Sequence, residues 1–275
     1  MVVENATIIG VGLIGGSLAG AWRKASFARH IVGVEADGSA AEAALRLGLV
    51  DEIQSTVPAI SDLIAICIPS DQIAQQVADL ASHRAAIFDV GSVKTPILDA
   101  LVARLNAIPE RFVPCHPIAG SEHSGPEAAR ADLFENATTV ITPTSSLNPA
   151  ALQLVRSAWQ ATGAEVVELT PAAHDEMLAV TSHLPHLLAF AFMQQIQPEH
   201  QQYTGSGFRD FTRIAGANAE LWWRILSMNK SQVFKAAQDF DVNLQALLQS
   251  LADGDKQSGI AMLSAAVKLD PGEDA

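Results

Sequence analysis

A doubly wound α/β domain with a mostly parallel sheet, followed by an all-α domain, is the fold class this sequence predicts. Three observations carry it. The first half contains short β-branched runs that are apolar throughout, as strands buried on both faces are. Amphipathic stretches of 10–15 residues separate those runs. Strand signals then stop near Thr170, while the helical period continues to about Leu251.

In chain order, strands are predicted at residues 7–9, 31–35, 63–68, 86–90 and 112–114, with helices at 14–24, 39–47, 71–82 and 95–106 between them. A strand at 138–142, a helix at 150–162 and a last strand at 165–168 are expected to extend the same sheet. Helices at 174–182, 186–195, 219–227 and 230–251 complete the chain, and the tail 270–275 is expected to fray. The boundary falls near residues 169–171, which gives domains 1–169 and 170–275.

The 275 residues are 49% hydrophobic and 17% charged, ample for a core and incompatible with a disordered or collagen-like chain. Asp+Glu outnumber Lys+Arg 30 to 17, a net charge of −13, which argues against a nucleic-acid binder. Cys67 and Cys115 each end an apolar run and read as reduced and buried, not as a disulfide framework. Met1 runs into a strand without a basic leader. The longest uncharged apolar stretches, 63–69 and 187–193, are far shorter than the ~20 residues that span a bilayer. A cytoplasmic location with no membrane partner is expected.

Gly10-Val11-Gly12-Leu13-Ile14-Gly15 matches G-x-G-x-x-G in the context the motif needs, after a strand and at the start of a helix. Gly10 permits the tight turn, Gly12 lets backbone approach a pyrophosphate, and Gly15 lets helix and strand pack closely. The opening helical residues, Leu13 and Ile14, supply oriented N–H donors. This is the fingerprint of a Rossmann domain. Glu35 ends the second strand, where a carboxylate accepts bonds from ribose hydroxyls and repels a 2′-phosphate. No Arg or Lys follows in Ala36-Asp37-Gly38-Ser39, so NAD is favoured over NADP. The alternative for Glu35 is a solvated strand-end charge. Pro69 follows a central strand at its ligand-binding end, or simply terminates it.

Four further segments concentrate polar chemistry. In Asp89-Val90-Gly91-Ser92-Val93-Lys94, Ser92 either bonds a substrate or the nicotinamide, or caps the next helix. In Cys115-His116-Pro117-Ile118-Ala119-Gly120-Ser121-Glu122-His123, a loop His suits acid–base chemistry near neutrality, against the plainer reading of a solvated side chain. In Ser182-His183-Leu184-Pro185-His186 the two His share a helix face, and a metal is the weaker reading because no other cluster has ligand spacing. In Phe208-Arg209-Asp210-Phe211-Thr212-Arg213 the arginines are i,i+4 and suit carboxylate recognition, with surface ion pairing the plainer role for Arg209. One ring of Trp222-Trp223 belongs in a core or interface.

Taken in order, these segments resemble the prephenate/arogenate dehydrogenases of tyrosine biosynthesis, from about Ile8 to Leu251. The resemblance implies a Rossmann domain, a helical dimerisation domain and a homodimer. It implies NAD(P)-dependent oxidative decarboxylation of prephenate or arogenate, without a metal. By similarity His116 is the catalytic base and Ser92 a second catalytic hydroxyl near the nicotinamide. Arg213 grips a substrate carboxylate, and His186, Glu122 and Ser121 contribute to substrate binding. The familiar Asp after the second strand is Glu35 here. A chorismate-mutase or regulatory domain is not expected, so any feedback by tyrosine would act at the active site. Two other readings stand beside this one: a dehydrogenase of β-hydroxy acids using Lys230, and a non-catalytic NAD sensor.

Overall fold

In the computed structural model, which describes residues 2–121 and 123–267, six parallel strands form the central sheet. They are β1 (Val3–Ile9), β2 (Ala28–Val34), β3 (Glu52–Gln54), β4 (Leu63–Ile66), β5 (Ala86–Asp89) and β6 (Phe112–Val113), in the order β3-β2-β1-β4-β5-β6. Helices α1 (Leu13–Lys24), α2 (Gly38–Arg46), α3 (Ser70–Asp79) and α4 (Thr95–Leu105) connect them. Successive side chains go to opposite faces, and both faces are buried. Ile8, Ala65 and Phe88 pack with Trp22 of α1 on one side. Ile9, Ile64, Ile66 and Ile87 pack with Ile73 of α3 and Ile97 of α4 on the other. That is why these strands are apolar at every position, with no polar alternation.

The strand order reverses between β1 and β4, and it is at such a switch point that α/β sheets bind ligands. The short strand β3 is an addition to the expected set.

Residues 138–142 and 165–168 do not extend this sheet. Strands β7 (Cys115–Pro117), β8 (Thr138–Ile141) and β9 (Glu165–Glu168) form a second, three-stranded sheet, with β7 antiparallel to β8. Helix α5 (Pro149–Gln160) lies between β8 and β9 in the chain, and its Trp159 packs edge-on against Phe88. The cause is local. Pro114 has no N–H to donate to a strand ladder. The next amide, Cys115 N–H, turns instead to the Asp89 carboxylate at 3.0 Å. The chain leaves the first sheet there and carries His116 into the second. Of the two thiols, Cys115 is buried as expected, but Cys67 is only half-buried, because it lies past the end of β4.

The second half is helical: α6 (Pro171–Leu178), a π-helical turn (Ala179–His183), α7 (Leu184–Met193), α8 (Ser206–Thr212), α9 (Ala219–Met228), α10 (Lys230–Asp253) and α11 (Lys256–Val267). Helices α8 and α11 were not anticipated from periodicity, and residues 270–275 lie outside the described residues. The chain divides into two compact units, Met1–Asn229 and Lys230–Ala275. The second is a pair of helices with a groove lined by Leu244, Leu248, Leu251, Ile260 and Leu263. No described helix is long and apolar enough to cross a membrane.

Candidate active site

The glycine loop sits at the switch point. Gly10 has φ +86°, and a Cβ there would lie 2.5 Å from the Cys67 carbonyl oxygen beyond β4. A Cβ on Gly15 would meet the Gly10 carbonyl oxygen at 2.0 Å, so only glycine allows α1 to start this close to β1. Gly12 is the N-cap of α1. No side chain caps that helix, and no acidic residue lies in its first turn. A Cβ on Gly12 would meet nothing within 4 Å, so there is open space beside the start of α1. An uncapped helix start with room before it fits a pyrophosphate.

Glu35 follows β2 and is half-buried. One of its carboxylate oxygens accepts the Val11 amide at 2.8 Å and the other the Asp37 amide at 3.0 Å. The carboxylate is thus tied to the glycine loop itself. Asp37 in turn caps α2 by accepting from Ala40 N–H. Pro69 is exposed at the N-cap of α3, three residues past the end of β4.

Ser92 does not cap α4. Its amide donates to Ser70 Oγ at 3.2 Å, and it is half-buried between β5 and the helix. The α4 start is capped in trans, because Asp175 of α6 accepts the Lys94 and Thr95 amides, each at 2.8 Å. Lys94 is fully buried, and its Nζ donates at 2.5 Å to both Asp89 and the Cys115 carbonyl. Asp89 also accepts the Gly91 and Cys115 amides. One buried ion pair therefore ties the end of β5, the start of α4 and the backbone next to His116.

The imidazole of His116 is half-buried, with Nδ1 2.8 Å from Nε2 of His174. His174 is fully buried, and its Nδ1 is 2.8 Å from Asp175 Oδ1. Burial pushes the His116 pKa well below the ordinary imidazole value, and His174, Lys94 and His183 push it further down. Near neutrality His116 is thus an unprotonated base. Burial alone would raise the Asp175 pKa, but bonds from His174, Lys94 and Thr95 outweigh it and hold the carboxylate ionised.

His183 and His186 meet the same ring differently. His186 stacks on Trp222 with centroids 3.5 Å apart, and its Nδ1 is 2.9 Å from the Ser182 carbonyl. His183 lies edge-on to Trp222, and its Nδ1 is 3.1 Å from Asn229 Nδ2. Asn229 also donates to the Asp175 carbonyl. Among the described residues, no group of three or more His, Cys, Asp or Glu is placed to hold a metal ion. Arg213 is exposed at the start of a 3₁₀ turn, and its charge helps to hold the His186 pKa down, after burial as the main cause. Ser121 is exposed, and its Oγ accepts the His123 amide in a local turn. Glu122 lies outside the described residues.

Burial, with His174 adding to it, lowers the His183 pKa from 6.5 to about 4. The unfolded chain therefore binds the extra proton first, and stability falls as pH drops from about 6.5 towards 4. The urea midpoint should fall across that window in the native protein, and His183→Gln should flatten the slope. An unchanged slope would reject this assignment.

Sequence reasoning missed His174, Asp175, Lys94, Asn229 and Trp222 as parts of this site. The one available signal was a His-Asp pair at 174–175, just upstream of the 182–186 segment.

Known proteins resemble this chain along most of its length. The family described as "Prephenate dehydrogenase, nucleotide-binding domain" matches residues 18–168, and "Prephenate dehydrogenase, dimerization domain" matches residues 170–265. A prephenate dehydrogenase of Bacillus subtilis is 34% identical over 84% of this chain; the aligned region spans 65% of that relative. A cyclohexadienyl dehydrogenase of Zymomonas mobilis is 31% identical over 92% of this chain and 91% of its own length. The crystal structure of a prephenate dehydrogenase from A. aeolicus, in complex with hydroxyphenyl propionate and NAD+, superimposes with a TM-score of 0.89. It is 31% identical and covers 97% of this chain and 96% of its own.

Proposed function

The chain belongs to the prephenate dehydrogenase family, and on that premise we propose that it catalyses the NAD-dependent oxidative decarboxylation of prephenate or arogenate. The products are 4-hydroxyphenylpyruvate or tyrosine. The observation that carries this reading is His116: a half-buried imidazole, held unprotonated, tied through Lys94 to the end of β5.

Bound at the glycine loop, the dinucleotide supplies the hydride acceptor for the carbinol carbon. The rest of the chemistry belongs to the chain and the substrate ring. His116 takes the hydroxyl proton as the carbinol is oxidised. The ring carboxylate then leaves as CO2, and its electron pair moves through the ring to the oxygen. Aromatisation drives this step. The resulting phenolate takes the proton back, so the cycle releases no net proton. Ser92, half-buried ahead of α4, orients the hydroxyl and the nicotinamide. Arg213 holds a substrate carboxylate, and His186, flat on Trp222, binds beside it with Ser121 and Glu122.

Glu35, with no cation in residues 36–39, supports NAD rather than NADP. We assign residues 1–169 to nucleotide binding and 170–275 to substrate binding and a homodimer. The exposed apolar groove of α10 and α11 supports that assembly. A cytoplasmic location completes this reading.

The test is NADH formation on adding prephenate, then arogenate, to purified protein with each nicotinamide cofactor. Turnover of either substrate with NAD is expected. Silence with both, while NAD binds, would contradict the reading. Arg213→Ala should chiefly raise KM, roughly 10- to 100-fold for one charge-assisted carboxylate contact, with kcat little changed. An unaltered KM would reject that role.

A further inference from the structure

The base at position 116 needs its proton on the right nitrogen, and the hydrogen-bond chain dictates which one that is. Asp175 is ionised and accepts from His174, so Nδ1 of His174 carries a proton. In the tautomer whose single proton is on Nδ1, Nε2 of His174 holds only a lone pair. The His116 Nδ1 facing it at 2.8 Å must then be the donor, which leaves Nε2 of His116 as the unprotonated nitrogen. One carboxylate thus sets the tautomers of two rings.

From this geometry we infer that His174 and Asp175 are positioning residues that fix His116 as its Nδ1–H tautomer and hold the substrate's proton during turnover. The inference rests on His116 being the base of the proposed reaction. When Nε2 takes the hydroxyl proton, the Nδ1 proton moves along the 2.8 Å bond to His174 Nε2. The positive charge then rests on an imidazolium paired directly with Asp175. When the phenolate forms, the shift reverses: His174 returns its proton to His116 Nδ1, and Nε2 delivers one to the oxygen. Every proton lent is given back. A sealed relay suits this reaction, because His174 is 0% exposed and no net proton has to reach water.

The surroundings match that role. Asp175 is held by two α4 amides, so its carboxylate cannot swing away from His174. The other charged and titratable groups close to His116 are Lys94 and His183. Lys94 Nζ donates to Asp89 and the Cys115 carbonyl, and Asn229 Nδ2 donates to Nδ1 of His183, so neither competes for the His116–His174 proton.

The experiment is two-bond ¹H–¹⁵N correlation spectroscopy of ¹⁵N-histidine-labelled protein near neutral pH, which reads the tautomer of each ring. His116→Asn and His174→Gln identify the two resonances. The native protein should show both rings as Nδ1–H tautomers. A His116 found as Nε2–H would overturn the relay, whatever the enzyme turns over. In kinetics, His174→Phe keeps a ring but offers no acceptor; it should switch the His116 tautomer and lower kcat roughly 10- to 100-fold, with the KM for NAD unchanged. His174→Gln places a carbonyl near the lost Nε2 and should restore the tautomer and part of kcat. Equal losses in the two variants with an unchanged His116 tautomer would also overturn it. Loss of NADH formation in a native protein with the expected tautomers would count against the catalytic reading alone.

Discussion

Replacing His116 with Asn lowers kcat by roughly 10²–10⁴-fold and leaves NAD affinity nearly unchanged, the cost of removing a base that acts in the transition state. The dinucleotide loop and His116 are built by separate parts of the fold. Gly10 to Gly15 hang between β1 and α1, whereas His116 sits on β7 in the second sheet. Asn can still donate towards His174 but has no basic nitrogen, so the effect should appear in turnover and not in cofactor binding. Stopped-flow NADH formation and a titration with NAD separate the two. Equal loss of both would make His116 a structural residue.

Replacing Lys94 with Met destabilises the protein by about 3–5 kcal/mol, because Asp89 is left as a buried, uncompensated charge. Lys94 and Asp89 are both 0% exposed, so water cannot take the place of the lost ammonium. The pair as a whole contributes far less than this figure, since both ions were desolvated on folding. Adding Asp89→Asn to Lys94→Met should therefore recover part of the loss in urea unfolding. Turnover should remain impaired in both variants, because the tether from Lys94 Nζ to the Cys115 carbonyl is gone and His116 is the next residue. A single variant as stable as the native protein would show that Asp89 is satisfied without Lys94.

The first sheet was legible because burial on both faces makes its strands apolar at every position, and the glycine loop because its spacing has few other uses. The strand that carries His116 was not. Cys115–Pro117 is three residues long and ends in proline, so neither periodicity nor propensity marks it. The turn that takes the chain into the second sheet depends on Asp89 accepting an amide 26 residues away. The relay was hidden for the same reason. His116 and His174 are 58 positions apart, and nothing at position 116 announces its partner. Ser92 was ambiguous because strand-end serines so often cap helices; here Asp175 caps α4 from another helix. Glu35 also accepts the Val11 amide, a tie to the glycine loop that no count of residues between motifs could reveal.

Crystallisation with the reduced dinucleotide and 4-hydroxyphenylpyruvate puts the whole assignment to one geometric question. The phenol oxygen should lie about 2.6–3.2 Å from Nε2 of His116, with Nδ1 still on His174. A phenol oxygen bonded elsewhere, with the His116 ring turned from the ligand, would contradict it.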